Sequence, residues 1–339
     1  MRSAVMGAEP MRLERGVFTL SLDFELIWGT LDLFGPEAFR RTCELERQVV
    51  IDRLLDLFVE FDIRATWCVV GHLMLDRCGG ENGQKHPEIV RPRHAWCRGD
   101  WFEHDLGGTE DEAPVFLGRS LIEKILACPV PQEIGSHSFS HLIFGDAGCS
   151  REAAQSDLRA CVDAARQVGL SLQSFSFPRN QVGYRELLAE HGFTCFRGPE
   201  PSWYRAGGMP VAIQRVAHLL EVVTMAEPPV VLPRRTPEGM VEIPGSMVYF
   251  PAHGLRRFLP VSWRVQRALK GLDAAVDRHR IFHLWTHPTN LVDEMDAMFD
   301  GLRQILQHAS RLRREGVLAI MTMGELAAFA TAAAGPRPG

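Results

Sequence analysis

No stretch of the sequence approaches the roughly 20 consecutive apolar residues of a membrane-spanning helix. Met1 to Arg15 contains no apolar segment of signal-peptide length, only a polar leader with Arg2, Arg12 and Arg15, so export is not expected. The 8 cysteines include no Cys-x-x-Cys pair and follow no regular spacing. They read as reduced, mostly buried thiols of a cytoplasmic protein. Basic residues are not in excess: 37 Lys and Arg face 42 Asp and Glu, for a net charge of −5, and no Lys/Arg-rich run stands out. That balance argues against nucleic acid as a partner. No internal repeat recurs at a fixed period. What the chain does have is 46% hydrophobic residues over 339 positions, enough for a large buried core in one large domain or two smaller ones.

The apolar residues switch repeatedly between strand and helix patterns. Val17 to Asp23 is nearly all apolar and β-branched, which suits a strand buried on both faces of a parallel sheet. Val50, Leu54, Leu57, Phe58 and Phe61 mark the inner face of a helix over residues 38–62, and residues 65–70 form a second strand. Strand, helix, strand is the unit of a parallel sheet with a right-handed crossover. Further helices are expected at 151–168, 184–191 and 295–312 and from Gly324, with strands at 172–177, 193–196, 280–288 and 317–321. This alternation makes the fold α/β. Residues 198–260, with prolines throughout and short apolar pieces such as Leu219–Val223, read as an irregular half of the same barrel.

Polar residues gather where the predicted strands end. Glu133-Ile134-Gly135 reads as a strand end leading into Ser136-His137-Ser138-Phe139-Ser140-His141, with Gly135 easing the change of direction. In extended backbone the two histidines would stand roughly 13 Å apart. On a helical turn their Cβ atoms come within about 5–6 Å, and both imidazoles can reach one metal ion. A strand end carrying such a pair is where a (β/α) barrel keeps its active site. The plainer alternative is a capped helix with one hydrogen-bonded histidine. Asp23 and Glu25 share a face at the end of the first strand, roughly 6–7 Å apart, and repel unless they share a cation or a proton. Otherwise one caps a helix and the other is solvated.

Pro178-Arg179-Asn180-Gln181 closes another strand. Arg179 there either holds a catalytic carboxylate in its ionised form through a bidentate pair or is a solvated loop arginine. In the last strand His283, Trp285 and His287 share a face, and Pro288 leaves His287 at the rim, placed to give or take a proton near neutral pH. Between Cys78 and about Pro114 periodicity vanishes, and a loop this long is usually a functional lid or a linker. Its aromatics, Trp96, Trp101 and Phe102, argue against disorder. Asp100 and Trp101 suit a sugar ligand, a hydroxyl acceptor beside a stacking face, although Trp101 can equally anchor the loop. Trp28 and Trp285 are further pocket candidates.

These residues carry a resemblance. Ser21-Leu22-Asp23-Phe24-Glu25, the His137-Ser138-x-x-His141 motif and Leu284-Trp285-Thr286-His287-Pro288 resemble, in order, the motifs of the polysaccharide deacetylase family, also called carbohydrate esterase family four or the NodB-homology group. The resemblance runs over roughly residues 17–326 and implies a distorted (β/α) barrel, a single domain over residues 16–330 with the long irregular insert. It leaves 1–15 as a disordered leader and 331–339 as a disordered tail. It implies one divalent metal ion, zinc before cobalt, manganese, iron or nickel, held by Glu25, His137 and His141. Asp23 becomes the general base and His287 the general acid, with Arg179 as the candidate for the arginine that orients the base. Glu25 stands one residue beyond the usual second carboxylate, and Arg179 follows its proline where the family has arginine before it. Substrate contacts are expected from Trp28, Asp100, Trp101, Asn180, Leu284 and Trp285. The activity implied is removal of an N-acetyl group from a small N-acylated sugar or sugar conjugate. A non-sugar amide or formamide as substrate, and a carbohydrate-binding barrel without activity, are the alternatives.

Overall fold

The computed structural model describes residues 13–31, 35–81, 84–201 and 224–333. Most of the expected leader, the tail beyond Ala333 and the apolar piece Leu219–Val223 lie outside these residues. Ten strands make one sheet: β1 (Gly16–Phe24), β2 (Thr66–Val69), β3 (Glu133–Ser136), β4 (Ser174–Ser176), β5 (Cys195–Gly198), β6 (Arg234–Arg235), β7 (Val241–Pro244), β8 (Met247–Val248), β9 (Ile281–Thr286) and β10 (Leu318–Ile320). They run in the order β6-β7-β5-β4-β3-β2-β1-β9-β8, with β10 also paired to β1. Every pairing is parallel except β6 with β7. The sheet curls until one segment meets both of its ends. Val241–Pro244 pairs with β5, and Met247–Val248, two residues on, pairs with β9. The expected distorted barrel is thereby formed, and the stretch read as irregular supplies three of its strands.

Helices cover the outside: α1 (Pro36–Leu45), α2 (Ile51–Phe61), α3 (Arg119–Leu126), α4 (Arg151–Gln167), α5 (Arg185–Glu190), α6 (Val261–Arg278), α7 (Met295–Arg314) and α8 (Met323–Ala333). The helix expected over 38–62 is present as α1 and α2 joined by a π-helical turn, Glu46–Val50. Proline at the first turn of α1 and a left-handed Asp62 after α2 set its two ends. α4 starts at Ser150, whose hydroxyl accepts the Ala153 N–H. None of the described helices is long and apolar enough to cross a membrane.

Strand parity divides the residues between two environments. Phe18, Leu20, Leu22 and Phe24 of β1 join the large apolar core. Thr19, Ser21 and Asp23 belong to the other face, together with register partners such as His283, Thr66 and Cys68. That inner face is polar, buried and directed towards the strands' C-terminal ends. At the opposite end Met323, Leu326, Ala327 and Ala330 of α8 form a plug with Val17, Ile243 and Leu13.

One close approach fixes the seat of β1. A Cβ on Gly16 would lie 2.8 Å from backbone atoms of Ala275 and Val276 in α6. Gly16→Ala should therefore destabilise the fold by about 1–3 kcal/mol through overpacking. Denaturant unfolding would show it, and an unchanged midpoint would mean that α6 can move away freely.

Candidate metal and acid–base site

The C-terminal end of β1 delivers two carboxylates into the barrel mouth. Asp23 and Glu25 are buried, at 2% and 6% exposure. Glu25 directly precedes the turn Leu26–Thr30, and a Cβ on Gly29 would fall 1.9 Å from Glu25 Oε1, so a larger residue there would displace this carboxylate from its position. His137 follows β3 on the inner face. Its Nδ1 donates to Ser176 O at 2.8 Å, which in the neutral ring leaves the Nε2 lone pair directed at the carboxylates.

The two histidines meet, but not on a helical turn as expected. Residues 137–141 form an irregular bend in which Ser138 and His141 have φ of 64° and 59°. Side chains supply the hydrogen bonds that a helix would otherwise have made. Asp157 of α4 accepts from Phe139 N–H, Ser140 N–H and the Ser140 hydroxyl, at 2.8, 3.1 and 2.6 Å. Ser136 and Ser138 hydroxyls accept from Ser138 N–H and Leu142 N–H. Burial pushes the Asp157 carboxyl up to about 6 against the pull of these donors. Gly135 has no positive φ; its missing Cβ makes room for Ser174 O, which one would approach to 2.9 Å.

The result is a three-atom convergence. Glu25 Oε2 lies 3.2 Å from His137 Nε2 and 3.2 Å from His141 Nε2, and all three ligand atoms lie within 4.8 Å of one another. That oxygen is buried and makes no properly directed hydrogen bond among the described residues. Anionic oxygen facing an imidazole lone pair at this distance is repulsive unless a cation lies between them. Burial alone would lower the His137 pKa, yet the charges of Asp23 and Glu25 raise it, so the pocket draws positive charge. One carboxylate and two imidazoles therefore suit a divalent ion with positions left open. His287 closes the arrangement, its Nε2 3.4 Å from Glu25 Oε1 and 3.8 Å from Asp23 Oδ2. Beyond Glu25 lies Glu46, buried in the π-helical turn. Burial and the neighbouring Glu25 charge push its carboxyl well above the usual range.

Asp23 is held by an arginine, though not the expected one. Arg197 of β5 makes a bidentate pair to Asp23, Nη1 to Oδ1 at 2.9 Å and Nη2 to Oδ2 at 2.6 Å. Burial opposes ionisation of Asp23, but the guanidinium overrides it and holds the carboxyl down to about 2. Arg179 instead donates from Nη2 to Gly29 O at 2.9 Å. It follows β4 in a turn with φ of 56°, which carries its side chain to the Glu25–Thr30 segment, away from Asp23. No local pattern marks Arg197; its partner lies across the barrel.

The expected substrate residues separate into three groups. Trp28, Asp100 and Trp101 line one cleft of about 160 Å3 that reaches His141, with exposed Trp96 on its rim. Within it Trp101 Nε1 donates to the Ser140 hydroxyl at 2.9 Å, tying the long loop to the histidine bend. Asn180 and Trp285 serve Arg197. Asn180 Oδ1 accepts from Nη2 at 3.2 Å, and the guanidinium lies 4.2 Å from the Trp285 ring centroid. Leu284 does not reach the site. It pairs with Leu20 and packs in the outer core, because parity turns it away from His283 and Trp285.

No family model matches the chain, and no curated protein does. Solved structures do match. A protein assigned as a polysaccharide deacetylase from Mycobacterium smegmatis aligns with TM-score 0.62 at 15% identity, over 96% of this chain and 94% of that one. Puue allantoinase aligns with TM-score 0.58 at 11% identity, over 93% and 90%. A protein assigned as a polysaccharide deacetylase from Pseudomonas aeruginosa PAO1 gives 0.56 at 13%, over 92% and 89%. The likeness is one of fold: the chain has the NodB-type barrel of the polysaccharide deacetylases along nearly its whole length.

The two arginines separate cleanly by experiment. Arg197→Met should cost about 3–5 kcal/mol in denaturant unfolding, because it strands a buried carboxylate, whereas Arg179→Met should cost much less. Equal losses would remove the special role of the Arg197–Asp23 pair.

Proposed function

We propose that the chain is a metal-dependent amide hydrolase that removes an N-acetyl group from a sugar or a sugar-bearing metabolite. The observation that carries this reading is the position of Glu25 Oε2, 3.2 Å from two imidazole Nε2 atoms, with Asp23 and His287 at its flanks. Glu25, His137 and His141 would hold one divalent ion, zinc by ligand chemistry, which supplies a Lewis acid that acidifies water and polarises a carbonyl. Asp23, kept ionised and aimed by Arg197, takes the proton of the attacking water. Arg197 is itself fixed by Asn180 and by the Trp285 face, so the base cannot swing away. His287, with 27% of its side chain exposed, stands between the carboxylates and solvent and donates a proton to the departing amine.

The cleft supports a carbohydrate as the acyl carrier. Trp101 and the exposed Trp96 offer faces for the C–H side of a ring, and Trp28 forms part of the wall. Asp100 is partly committed, because Arg91 Nε donates to its Oδ2 at 2.8 Å and Phe102 N–H to its Oδ1 at 2.9 Å. All 8 cysteines are free, which agrees with a reducing, cytoplasmic setting and with a metabolite in preference to a wall polymer. The match to an allantoinase, named for allantoin and not for a sugar, supports a second reading in which a non-sugar amide is the substrate.

Amine release from chitooligosaccharides and acetylated nucleotide sugars, beside simple N-acyl amides, would distinguish these readings. Saturable binding of the sugars without turnover would instead leave a binding protein. Asp23→Asn should retain the metal while kcat falls by roughly 10²–10⁴, and full activity would remove Asp23 as the base. His137→Ala should lose one equivalent of metal together with the activity. Wild-type metal content in that variant would overturn the ligand assignment.

A further inference from the structure

Behind the histidine bend lies a second convergence of ligand atoms. His72, Cys78, His86 and Asp105 are all buried, and one donor atom from each lies within 4.8 Å of the others. His86 Nε2 is 3.1 Å from His72 Nε2 and 3.2 Å from Cys78 Sγ. Asp105 Oδ2 is 2.8 Å from Cys78 Sγ, 3.3 Å from His72 Nε2 and 3.8 Å from His86 Nε2. Around a tetrahedral zinc with bonds of about 2.0–2.3 Å, neighbouring ligand atoms would stand roughly 3.3–3.8 Å apart.

The outer partners fix which nitrogens face inward. His72 Nδ1 is 3.0 Å from Phe116 O, and His86 Nδ1 is 3.3 Å from Glu88 Oε1. Both partners only accept, so each Nδ1 carries a proton and, in the neutral ring, each Nε2 a lone pair. Two lone pairs 3.1 Å apart repel unless something positive lies between them. Asp105 Oδ1 accepts the Gly107 N–H at 2.9 Å, which frees Oδ2 for the centre. Second partners of this kind are how proteins aim metal ligands.

We propose that His72, Cys78, His86 and Asp105 bind a zinc ion in a closed structural centre that fastens the 78–114 loop to the barrel. A thiolate and a carboxylate cancel the charge of the ion within the ligand set, and outside it Lys85 Nζ, 3.8 Å from Asp105 Oδ1, and the Glu88 carboxylate at His86 are of opposite charge. Sulfur and imidazole nitrogen select against magnesium and calcium. Four protein ligands leave no place for a substrate, unlike the three at Glu25.

The loop has need of such a fastening. Up to α3 its described residues form only two-residue pairings, Arg77–Cys78 with Gly108–Thr109 and Gly80–Glu81 with Gln84–Lys85. His72 belongs to the turn that follows β2, and the other three ligands belong to the loop. The Trp28 ring lies 4.4 Å from the His72 ring, and Phe139 lies 5.5 Å from His72 and 5.1 Å from His86. The centre thus sits against both the cleft wall and the histidine bend.

Cobalt titration of the metal-free full-length protein tests this assignment independently of the reading of the Glu25 site, which has no thiolate. We expect two Co2+ per chain and a near-ultraviolet thiolate-to-cobalt band that saturates at one equivalent. Cys78→Ser should abolish the band and leave one Co2+, whereas His141→Ala should keep the band and lose the other Co2+. Bound cobalt without a thiolate band, or a band that survives Cys78→Ser, would overturn the proposal. Should Cys78→Ser fail to fold, the zinc X-ray absorption spectrum of the wild type decides: one sulfur per two zinc ions is expected, and a spectrum without sulfur refutes the centre.

Discussion

Asp23 and Glu25 place two ionised carboxylates in a buried barrel mouth, and much of the surrounding structure answers that charge. Isolated carboxylates in such a place would be protonated or would unfold the region. Asp23 is matched by a guanidinium that reaches it from β5, itself backed by Ser21 at 3.2 Å, Asn180 and the Trp285 ring. Glu25 has no guanidinium. It has three imidazoles, two of them presenting Nε2 at one carboxylate oxygen, which is the arrangement of a ligand set rather than of a salt bridge. The different partners separate the carboxylates in role. On the proposed function, the one locked by a fixed positive group serves as the base and the other is left to hold the metal ion.

What the sequence revealed of this site follows from geometry that is local. The period of two in a strand put Asp23 with Glu25, and Trp285 with His287, on shared faces before any fold was known. Polar residues at the ends of the predicted strands placed Asp23, Glu25, His137, His141 and His287 at one mouth. The same rule, applied one residue further, turns Leu284 into the outer core, where it packs with Leu20. Arg197 was beyond such reasoning, because its tie to Asp23 spans 174 residues and depends on two strands meeting across the curled sheet. Arg179 follows a strand end and is the candidate that the resemblance offers, but its turn carries it to Gly29 O.

The histidine bend shows how tertiary contacts override a local preference. Five residues carrying His at both ends are compatible with a helical turn, yet Asp157 offers a carboxylate to the amides of Phe139 and Ser140. Those bonds stabilise two left-handed residues that a free peptide would avoid. In sequence Asp157 is one acidic residue within a helix whose inner face is otherwise read from its apolar positions. Only the packing of α4 behind the bend reveals what it does. The segment 241–248 was obscure for a related reason: it pairs with two different strands in eight residues, so neither half is long enough to show a period.

The 78–114 loop poses the converse problem, order without periodicity. In sequence Cys78 reads as one of several reduced, mostly buried thiols because no Cys-x-x-Cys spacing accompanies it, but spacing rules describe ligands carried on one tight turn. Here His72, Cys78, His86 and Asp105 converge through the path of a long loop, and such a path leaves no fixed interval in sequence. The consequence reaches the cleft. Trp101 on this loop is bonded to Ser140, between the two histidines, while Phe102 packs 4.8 Å from His86 and 6.0 Å from Trp28. The aromatic wall and the bend that carries His137 and His141 are therefore parts of one braced unit. A centre that orders the loop would set the cleft's shape even though none of its ligands touches the substrate.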